Sequence, residues 1–130
     1  MRLLLDTHIW IWSVAAPERL GRKVRDALTA AGSELWLSPI SVWEAMLLAE
    51  RGKLSLHSSP SDWVAEMLRI TPAREAALTH DVAMRSCTVR LAHRDPADRF
   101  LAATAIVHDL ILVTADKRLL RSRDFATMPN

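Results

Sequence analysis

The chain has 130 residues, half of them hydrophobic, and a formal net charge of only +2. This length fits one domain over residues 1–130, and the hydrophobic content excludes a disordered chain. The small charge excludes a polybasic tail, and the preference for arginine over lysine suits either phosphate recognition or a codon bias. The single Cys87 excludes an intramolecular disulfide and a cysteine-based zinc site, so we expect a cytoplasmic protein. No apolar segment approaches the length of a membrane span, and no membrane partner is expected.

Short apolar runs and helical patterns alternate through the first half of the chain. The run Arg2–Leu5 predicts a buried strand, and Asp6-Thr7 ends it and can cap a following helix. A second helix is predicted over residues 17–31. Glu34–Leu37 predicts the next strand, and the Ser-Pro pair after it begins a helix over residues 39–51.

The second half of the chain continues this alternation. Its predicted elements are a helix from Pro60, a brief strand over 68–70, a helix over 72–84, a helix over 97–108, a strand over 110–113, a short helix over Lys117–Leu120 and an edge strand over 125–128. The order predicts an α/β domain with a central, mostly parallel sheet of about four to five short strands, flanked by helices.

Two aspartates follow predicted strands. Asp6 ends the first strand. Asp116 lies three residues after the end of the strand over 110–113. Ligands of such sheets bind beyond the carboxyl ends of the strands. Each aspartate could instead be a helix N-cap, a role that Asp performs well. Thr7 could cap the first helix in place of Asp6, which would leave Asp6 free to face a ligand.

Glu44 lies inside an apolar helical pattern. Its apolar neighbours at helical spacing are Ile40, Trp43, Leu47 and Leu48. A carboxylate on a buried face is costly unless it is paired or holds a metal. A buried ion pair with an arginine is the alternative, and the tendency of perturbed carboxylates to cluster at functional sites favours the metal.

Two acids begin the helix over 97–108. Asp95 precedes Pro96 and is the natural N-cap, which places Asp98 at the third helical position. We therefore predict a structural role for Asp95 and a functional role for Asp98, although their close spacing leaves an exchange of roles open. Asp98 also leads an apolar pattern that begins with Leu101.

Together, these four carboxylates predict a site for a hard cation such as Mg²⁺ or Mn²⁺. Such a site suits phosphodiester cleavage by metal-activated water.

Basic residues near the third and fourth acids are candidates for phosphate-backbone contacts, although solvated surface charges explain any one of them equally well. The candidates are Arg94, Arg99, Lys117 and Arg118. His8 and His93 could support the acids, but the sequence favours ordinary surface or capping roles for them. Packing in the core or an interface is expected for the five tryptophans, and Trp10 and Trp12 cannot both face inward.

Four stretches of the chain resemble the motifs of PIN-domain nucleases. They are LLLDTH at 3–8, SPISVWE at 38–44, HRDPADRFLAATA at 93–105 and LVTAD at 112–116. Together they look like the short, single-domain PIN proteins that are VapC-type toxins of type II toxin–antitoxin pairs. Ala97 departs from the common form of the third motif, where a bulky apolar residue stands between the two aspartates.

The resemblance implies a Mg²⁺- or Mn²⁺-dependent endoribonuclease. It carries Asp6, Glu44, Asp98 and Asp116 over as the acidic site and Thr114 as a supporting polar residue. It also implies an RNA substrate, a homodimer and a cognate antitoxin. Three alternatives remain open: a housekeeping RNA-processing nuclease of the same fold, a non-catalytic module that binds metal or RNA, and a phosphotransferase or receiver domain. Glu44 argues against the last of these, which needs no carboxylate on the apolar face of a helix.

Overall fold

The computed structural model of the chain describes residues 1–54 and 57–130. Strands and helices alternate along it as the sequence predicts. In chain order the elements are β1 (Arg2–Leu5), α1 (Thr7–Ala15), a 3₁₀ turn (Pro17–Arg19), α2 (Arg22–Thr29), β2 (Glu34–Leu37), α3 (Pro39–Glu50), α4 (Pro60–Ile70), β3 (Ala73–Glu75), α5 (His80–Ser86), α6 (Pro96–Val107), β4 (Ile111–Thr114), α7 (Lys117–Leu120) and β5 (Thr127–Pro129). No helix within these described ranges is long and apolar enough to cross a membrane.

The five strands form one parallel sheet in the order β3-β2-β1-β4-β5. β1 is central, and its Leu4 lies between Trp36 of β2 and Leu112 of β4. The order reverses beside β1, so the carboxyl ends of β1 and β4 flank the crevice in which such sheets bind ligands. The predicted α/β class, with a parallel sheet of four to five strands flanked by helices, is confirmed.

Both faces of β1 are buried, because successive side chains of a strand point to opposite faces. Leu3 and Leu5 enter the larger apolar cluster, which also contains Trp10 of α1. Leu4 enters a smaller cluster with Leu112 on the other face. A parallel sheet covered on both faces explains why β1 reads as a continuous apolar run. The strand ends are thereby held in a packed framework.

The predicted strand over 68–70 is wrong, because these residues form the last turn of α4. Thr71 ends this helix, and its hydroxyl donates a hydrogen bond to the Met67 carbonyl. Thr71 has an extended conformation, which the following proline favours. β3 then begins at Ala73, beside Leu35 of β2. The helix predicted over 72–84 is therefore shortened to α5, and its actual N-cap is Thr79.

The helix predicted over 17–31 is interrupted. A 3₁₀ turn ends at Leu20, which is extended and only 5% exposed, and α2 begins after Gly21. Burying the Leu20 side chain in the core takes the backbone out of the helix at this point. The last predicted strand is confirmed as an edge strand, with its bounds moved to Thr127–Pro129.

α3 buries a face different from the predicted one. Its buried residues are the small Ser41, Ala45 and Ala49, whereas Trp43 is 53% exposed. Small side chains let α3 lie close against its neighbours, and the large residues then surround this contact. Of the two expected locations, core or interface, Trp10 lies in the core and is fully buried, whereas Trp43 is outside the core and its place in an interface stays a prediction.

Candidate functional site

The four acids singled out in the sequence line one open depression at the carboxyl edge of the sheet. Asp6 follows β1, and its backbone N–H donates to the Val113 carbonyl of β4. Asp116 lies just beyond β4, Glu44 lies on α3, and Asp98 lies in the first turn of α6. Residues that are far apart in the sequence thus meet where the strand order reverses.

Asp6 is both a helix cap and a member of the acidic depression. Its Oδ1 accepts a hydrogen bond of 2.8 Å from the Thr7 N–H, and its Oδ2 accepts one of 2.6 Å from the Thr114 hydroxyl. Of the two residues that could cap α1, Asp6 is the N-cap and Thr7 is the first residue of the helix. Burial raises the pKa of Asp6, and the hydrogen bond from Thr114 partly opposes this shift.

Thr114 connects the ends of β1 and β4. Its fully buried hydroxyl donates to Asp6 and accepts a hydrogen bond of 3.0 Å from the Asp116 backbone N–H. One side chain thereby fixes the carboxylate that follows one strand and the backbone that follows the next. This geometry supports the secondary role that the motif resemblance implies for Thr114.

Glu44 has a threonine rather than an arginine as its partner. Its Oε1 accepts a hydrogen bond of 2.6 Å from the Thr7 hydroxyl. Within the part of the chain that the structure describes, no arginine or lysine forms an ion pair with Glu44, so the alternative of a buried ion pair finds no support. Burial raises the pKa of Glu44 to about 7, the Thr7 hydrogen bond opposes the shift, and the charges of Asp6 and Asp98 add to it.

The two acids of the third motif, at the start of α6, have separate positions. Asp95 is the N-cap, and its Oδ1 accepts a hydrogen bond of 3.2 Å from the Asp98 N–H. Asp98 is only 8% exposed, and its Oδ2 lies 2.6 Å from Nε2 of His93. Burial raises the pKa of Asp98; the His93 hydrogen bond lowers it, and the charge of Asp95 raises it further.

His93 is the functional candidate that the sequence undervalued. Its Nε2 contacts Asp98, and its buried Nδ1 has no hydrogen-bond partner among the described residues. Its position five residues before Asp98, in the loop leading into α6, was the available signal. A loop has no periodic pattern, so the sequence did not predict that the His93 side chain points towards the site.

Asp116 differs from the other three acids because Arg118 neutralises it. The Arg118 guanidinium lies 2.9 Å from Oδ2 and 3.2 Å from Oδ1 of Asp116, and 3.8 Å from Oδ2 of Asp98. This pairing lowers the pKa of Asp116, whereas burial raises the pKa of each of the other three. Arg118 therefore lies at the rim of the acidic depression.

The site chemistry fits a hard divalent cation. His93, Asp98 and Asp116 each offer one ligand atom, and these atoms lie within 4.8 Å of one another. Carboxylate oxygens predominate in the depression, as Mg²⁺ and Mn²⁺ prefer. A cation there would also favour the charged forms of the acids whose ionisation burial opposes.

The other basic candidates have different surroundings. Arg99 donates hydrogen bonds to the carbonyls of Ser86 and Val89, at 2.9 and 2.8 Å, and so holds α6 against the end of α5. This structural role was not apparent from the sequence. Arg94 and Lys117 are exposed, and their contact with a phosphate backbone stays a prediction.

Comparisons with known proteins identify the family. The model of the PIN domain family matches residues 3–125. Ribonuclease VapC22 of Mycobacterium tuberculosis (strain ATCC 25618 / H37Rv) is 34% identical over 122 residues, which cover 93% of this chain and 92% of that relative. The chain belongs to the PIN domain family, and the resemblance predicted from its four motifs is confirmed.

Solved structures share the fold over nearly the full chain. VapBC2 from Rickettsia felis, bound to a DNA fragment from its promoter, is similar with a TM-score of 0.73 at 16% identity, and 99% of this chain and 98% of that chain are covered. DNA-bound VapBC from Salmonella typhimurium has a TM-score of 0.72 at 19% identity, with the same coverage of 99% and 98%. At these identities the likeness establishes the architecture.

Proposed function

We propose that this chain is a Mg²⁺- or Mn²⁺-dependent endoribonuclease toxin of the VapC type. The observation that carries the proposal is the convergence of Asp6, Glu44, Asp98 and Asp116 on one depression at the carboxyl edge of the sheet. The name of the relative, Ribonuclease VapC22, supports RNA as the substrate. We propose these four acids as the catalytic and metal-holding residues.

The acids would hold the cation, and neighbouring groups would hold the acids. Thr114 and Thr7 fix Asp6 and Glu44 through hydrogen bonds of 2.6 Å each. Asp95 fixes the first turn of α6, and with it the backbone of Asp98. When bound, the cation would lower the pKa of a water molecule and neutralise charge on the phosphate oxygens of the RNA.

No covalent intermediate with the protein is needed in this proposal. The acidic depression contains no cysteine or serine among its lining residues in the described part of the chain. Cys87 follows α5 and is exposed outside the depression. Hydrolysis by water, with the carboxylates as fixed ligands, therefore requires the fewest additional groups.

We propose a cognate antitoxin, a homodimer and a cytoplasmic site of action as part of the same function. The solved relatives include VapBC assemblies and a toxin-antitoxin complex from Klebsiella pneumoniae. Large exposed apolar side chains provide surface for such partners; among them are Trp43, Leu68, Ile70 and Met84. A small reading frame beside the gene, whose product binds this chain, is the expected genetic context.

Induced expression in a bacterium tests the proposal, with Asp98→Asn as the inactive variant and Asp62→Asn as its control. Asp62 is exposed in the first turn of α4 and does not line the depression. Its substitution therefore makes the same chemical change at a surface position outside the candidate site. We expect the native chain and Asp62→Asn to arrest growth, and Asp98→Asn to be harmless at matched soluble levels. Sequencing of RNA ends would then locate the cleavage sites.

The same experiment separates the alternatives. RNA cleavage by the purified chain without growth arrest would favour a housekeeping nuclease. Metal and RNA binding without cleavage would favour a non-catalytic module. Equal arrest by the native chain and Asp98→Asn would show that toxicity does not depend on the acidic site.

A further inference from the structure

A second depression lies directly beside the acidic one and carries the opposite charge. Its lining includes Arg90, Arg99, Arg118 and Arg121, with Val89 and Ser122 between them, and we call it the arginine depression. No acidic side chain lines it within the described residues. Arg118 lines both depressions, so they share a rim.

The two walls of the arginine depression are fastened to each other. The Arg90 backbone N–H donates to Oδ2 of Asp124 at 2.9 Å, and the Ser122 hydroxyl donates to the Arg90 carbonyl at 3.0 Å. Arg99 bonds the Val89 carbonyl from α6. These contacts join the segment after α5 to the segment after α7, so the backbone that carries Arg90 and Arg121 is held in place before any ligand arrives.

The guanidinium groups retain capacity for a ligand. Arg90 pairs with Asp124 at 3.2 Å, yet its side chain is 89% exposed. Arg121 is exposed and forms no ion pair in the part of the chain that the structure describes. Arg90 and Arg118 are each paired with an aspartate. Among the described residues that line the depression, Arg99 and Arg121 therefore supply the uncompensated positive charge that attracts an anion. The planar guanidinium matches phosphate oxygens in a bidentate manner.

We propose that the arginine depression binds a phosphate of the RNA strand next to the phosphate that is cleaved. This inference rests on the proposed ribonuclease function and assigns that site its neighbouring subsite. Arg118 lines both depressions, so a strand with one phosphate at the acidic depression can place the next phosphate in the arginine depression. An acidic peptide would also suit the arginines, but it has no phosphate that would occupy the adjacent acidic depression at the same time. Arg121 supplies the main uncommitted contact.

Binding of a fluorescein-labelled single-stranded RNA tests the proposal, with Asp98→Asn in every protein to prevent cleavage. We expect Arg121→Ala to weaken binding about ten-fold and to reduce the slope of log affinity against log salt by about 1. Arg25→Ala is the matched control, because Arg25 is exposed on α2 and lines a different depression. Arg121→Lys keeps the charge and should restore part of the loss. Equal weakening by Arg25→Ala and Arg121→Ala would overturn the proposal, since only net charge would then matter.

Cleavage kinetics provide the second readout, in chains that retain Asp98. We expect Arg121→Ala to raise KM for RNA several-fold at unchanged kcat. Hydrolysis of bis(p-nitrophenyl) phosphate, which has no neighbouring phosphate, should be unchanged. Slower hydrolysis of this small ester by Arg121→Ala would overturn the proposal, because the residue would then act on the acidic site.

The two readouts distinguish the failure of this inference from the failure of the proposed function. If the native chain cleaves neither substrate, the ribonuclease function fails, and a selective loss of RNA binding by Arg121→Ala would still support a phosphate site. If Arg121→Ala binds RNA as tightly as its parent but loses affinity for poly-glutamate, the depression is a site for acidic peptides and the RNA assignment is overturned.

Discussion

The Thr7 hydroxyl donates a hydrogen bond of 2.6 Å to Oε1 of Glu44 and so joins the first turn of α1 to α3. Thr7 is 2% exposed, and it follows Asp6, whose carboxylate caps the same helix. Thr7 therefore bonds two acids of the depression, Asp6 through its backbone N–H and Glu44 through its hydroxyl. The orientation of Glu44 depends on a residue 37 positions away in the chain.

Replacement of Thr7 should weaken metal binding without removing an acid. Thr7→Val preserves the shape of the side chain and deletes the donor, so Glu44 loses its positioning contact. We expect about ten-fold weaker Mn²⁺ binding by titration calorimetry, the usual size of effect for groups that orient ligands. Thr7→Ser retains a hydroxyl and should bind Mn²⁺ nearly as the native chain does. Native affinity in Thr7→Val would show that this hydrogen bond does not orient a ligand.

The raised pKa of Glu44 predicts a pH-dependent stability in metal-free buffer. Since its pKa is about 7 in the folded chain against 4.5 as the ordinary value, the folded state holds a proton that the unfolded state releases. The favourable contribution is complete below pH 4.5 and is lost as pH rises towards 7. Asp6 and Asp98 act in the same direction, and Asp116 acts in the opposite one.

Glu44→Gln isolates this contribution. Glutamine can still accept the Thr7 hydrogen bond but does not ionise, so the variant should gain stability relative to the native chain between pH 5 and 8. We expect a gain of about 1–2 kcal/mol at the upper end, because partial exposure of Glu44 to water screens its charge. Urea unfolding at a series of pH values in EDTA measures the difference. A difference that does not change with pH would contradict the assigned titration.

Arg118 would compete with a divalent cation bound at the proposed metal site for the same carboxylate oxygens. The guanidinium lies within 4 Å of both Asp116 and Asp98. Arg118→Ala should therefore tighten Mn²⁺ binding by about two- to five-fold, the range expected for loss of an exposed ion pair. Lys117→Ala removes the same charge one residue earlier and should have a smaller effect. Weaker Mn²⁺ binding in Arg118→Ala would indicate that the arginine organises the acids instead of competing for them.

Two tryptophans of opposite burial provide a test of the packing. Trp10 is fully buried, and its indole N–H donates to the Thr71 hydroxyl at 2.9 Å, whereas Trp43 is 53% exposed. We expect Trp10→Ala to lower the free energy of unfolding by about 3–5 kcal/mol. Trp43→Ala should lower it by less than about 1 kcal/mol. Chemical denaturation measures both, and similar losses would contradict the orientation of α3.

The sequence predicted the sheet and its acidic edge because both depend on local signals. Continuous apolar runs marked β1 and β4, and the acids that follow them marked the strand ends. The orientation of α3 was not predicted, because Ser41 and Ala45 carry little hydrophobic signal and face inward only through close helix contact. β3 was also misplaced, because a three-residue edge strand is defined by its pairing with β2 more than by its own residues.

The partners of the acids were the least predictable part of the site. Thr7 and Thr114 bond acids that are 37 and 108 residues away, and such pairings arise only when the strands and the helices that pack on them have assembled. His93 and Arg118 reach the depression from a loop and from a four-residue helix, where no periodic pattern fixes a direction. The four acids were therefore visible in the sequence, and the side chains that bond them were not.

RNA cleavage by the purified chain tests the central claim most directly. The native chain, Glu44→Gln and the exposed control Glu50→Gln would be compared at equal concentration in Mg²⁺ and in EDTA. We expect cleavage by the native chain and Glu50→Gln in Mg²⁺ only, and none by Glu44→Gln, with all three chains folded by circular dichroism. Cleavage that persists in EDTA, or that survives in Glu44→Gln, would contradict a metal-dependent nuclease built on these acids.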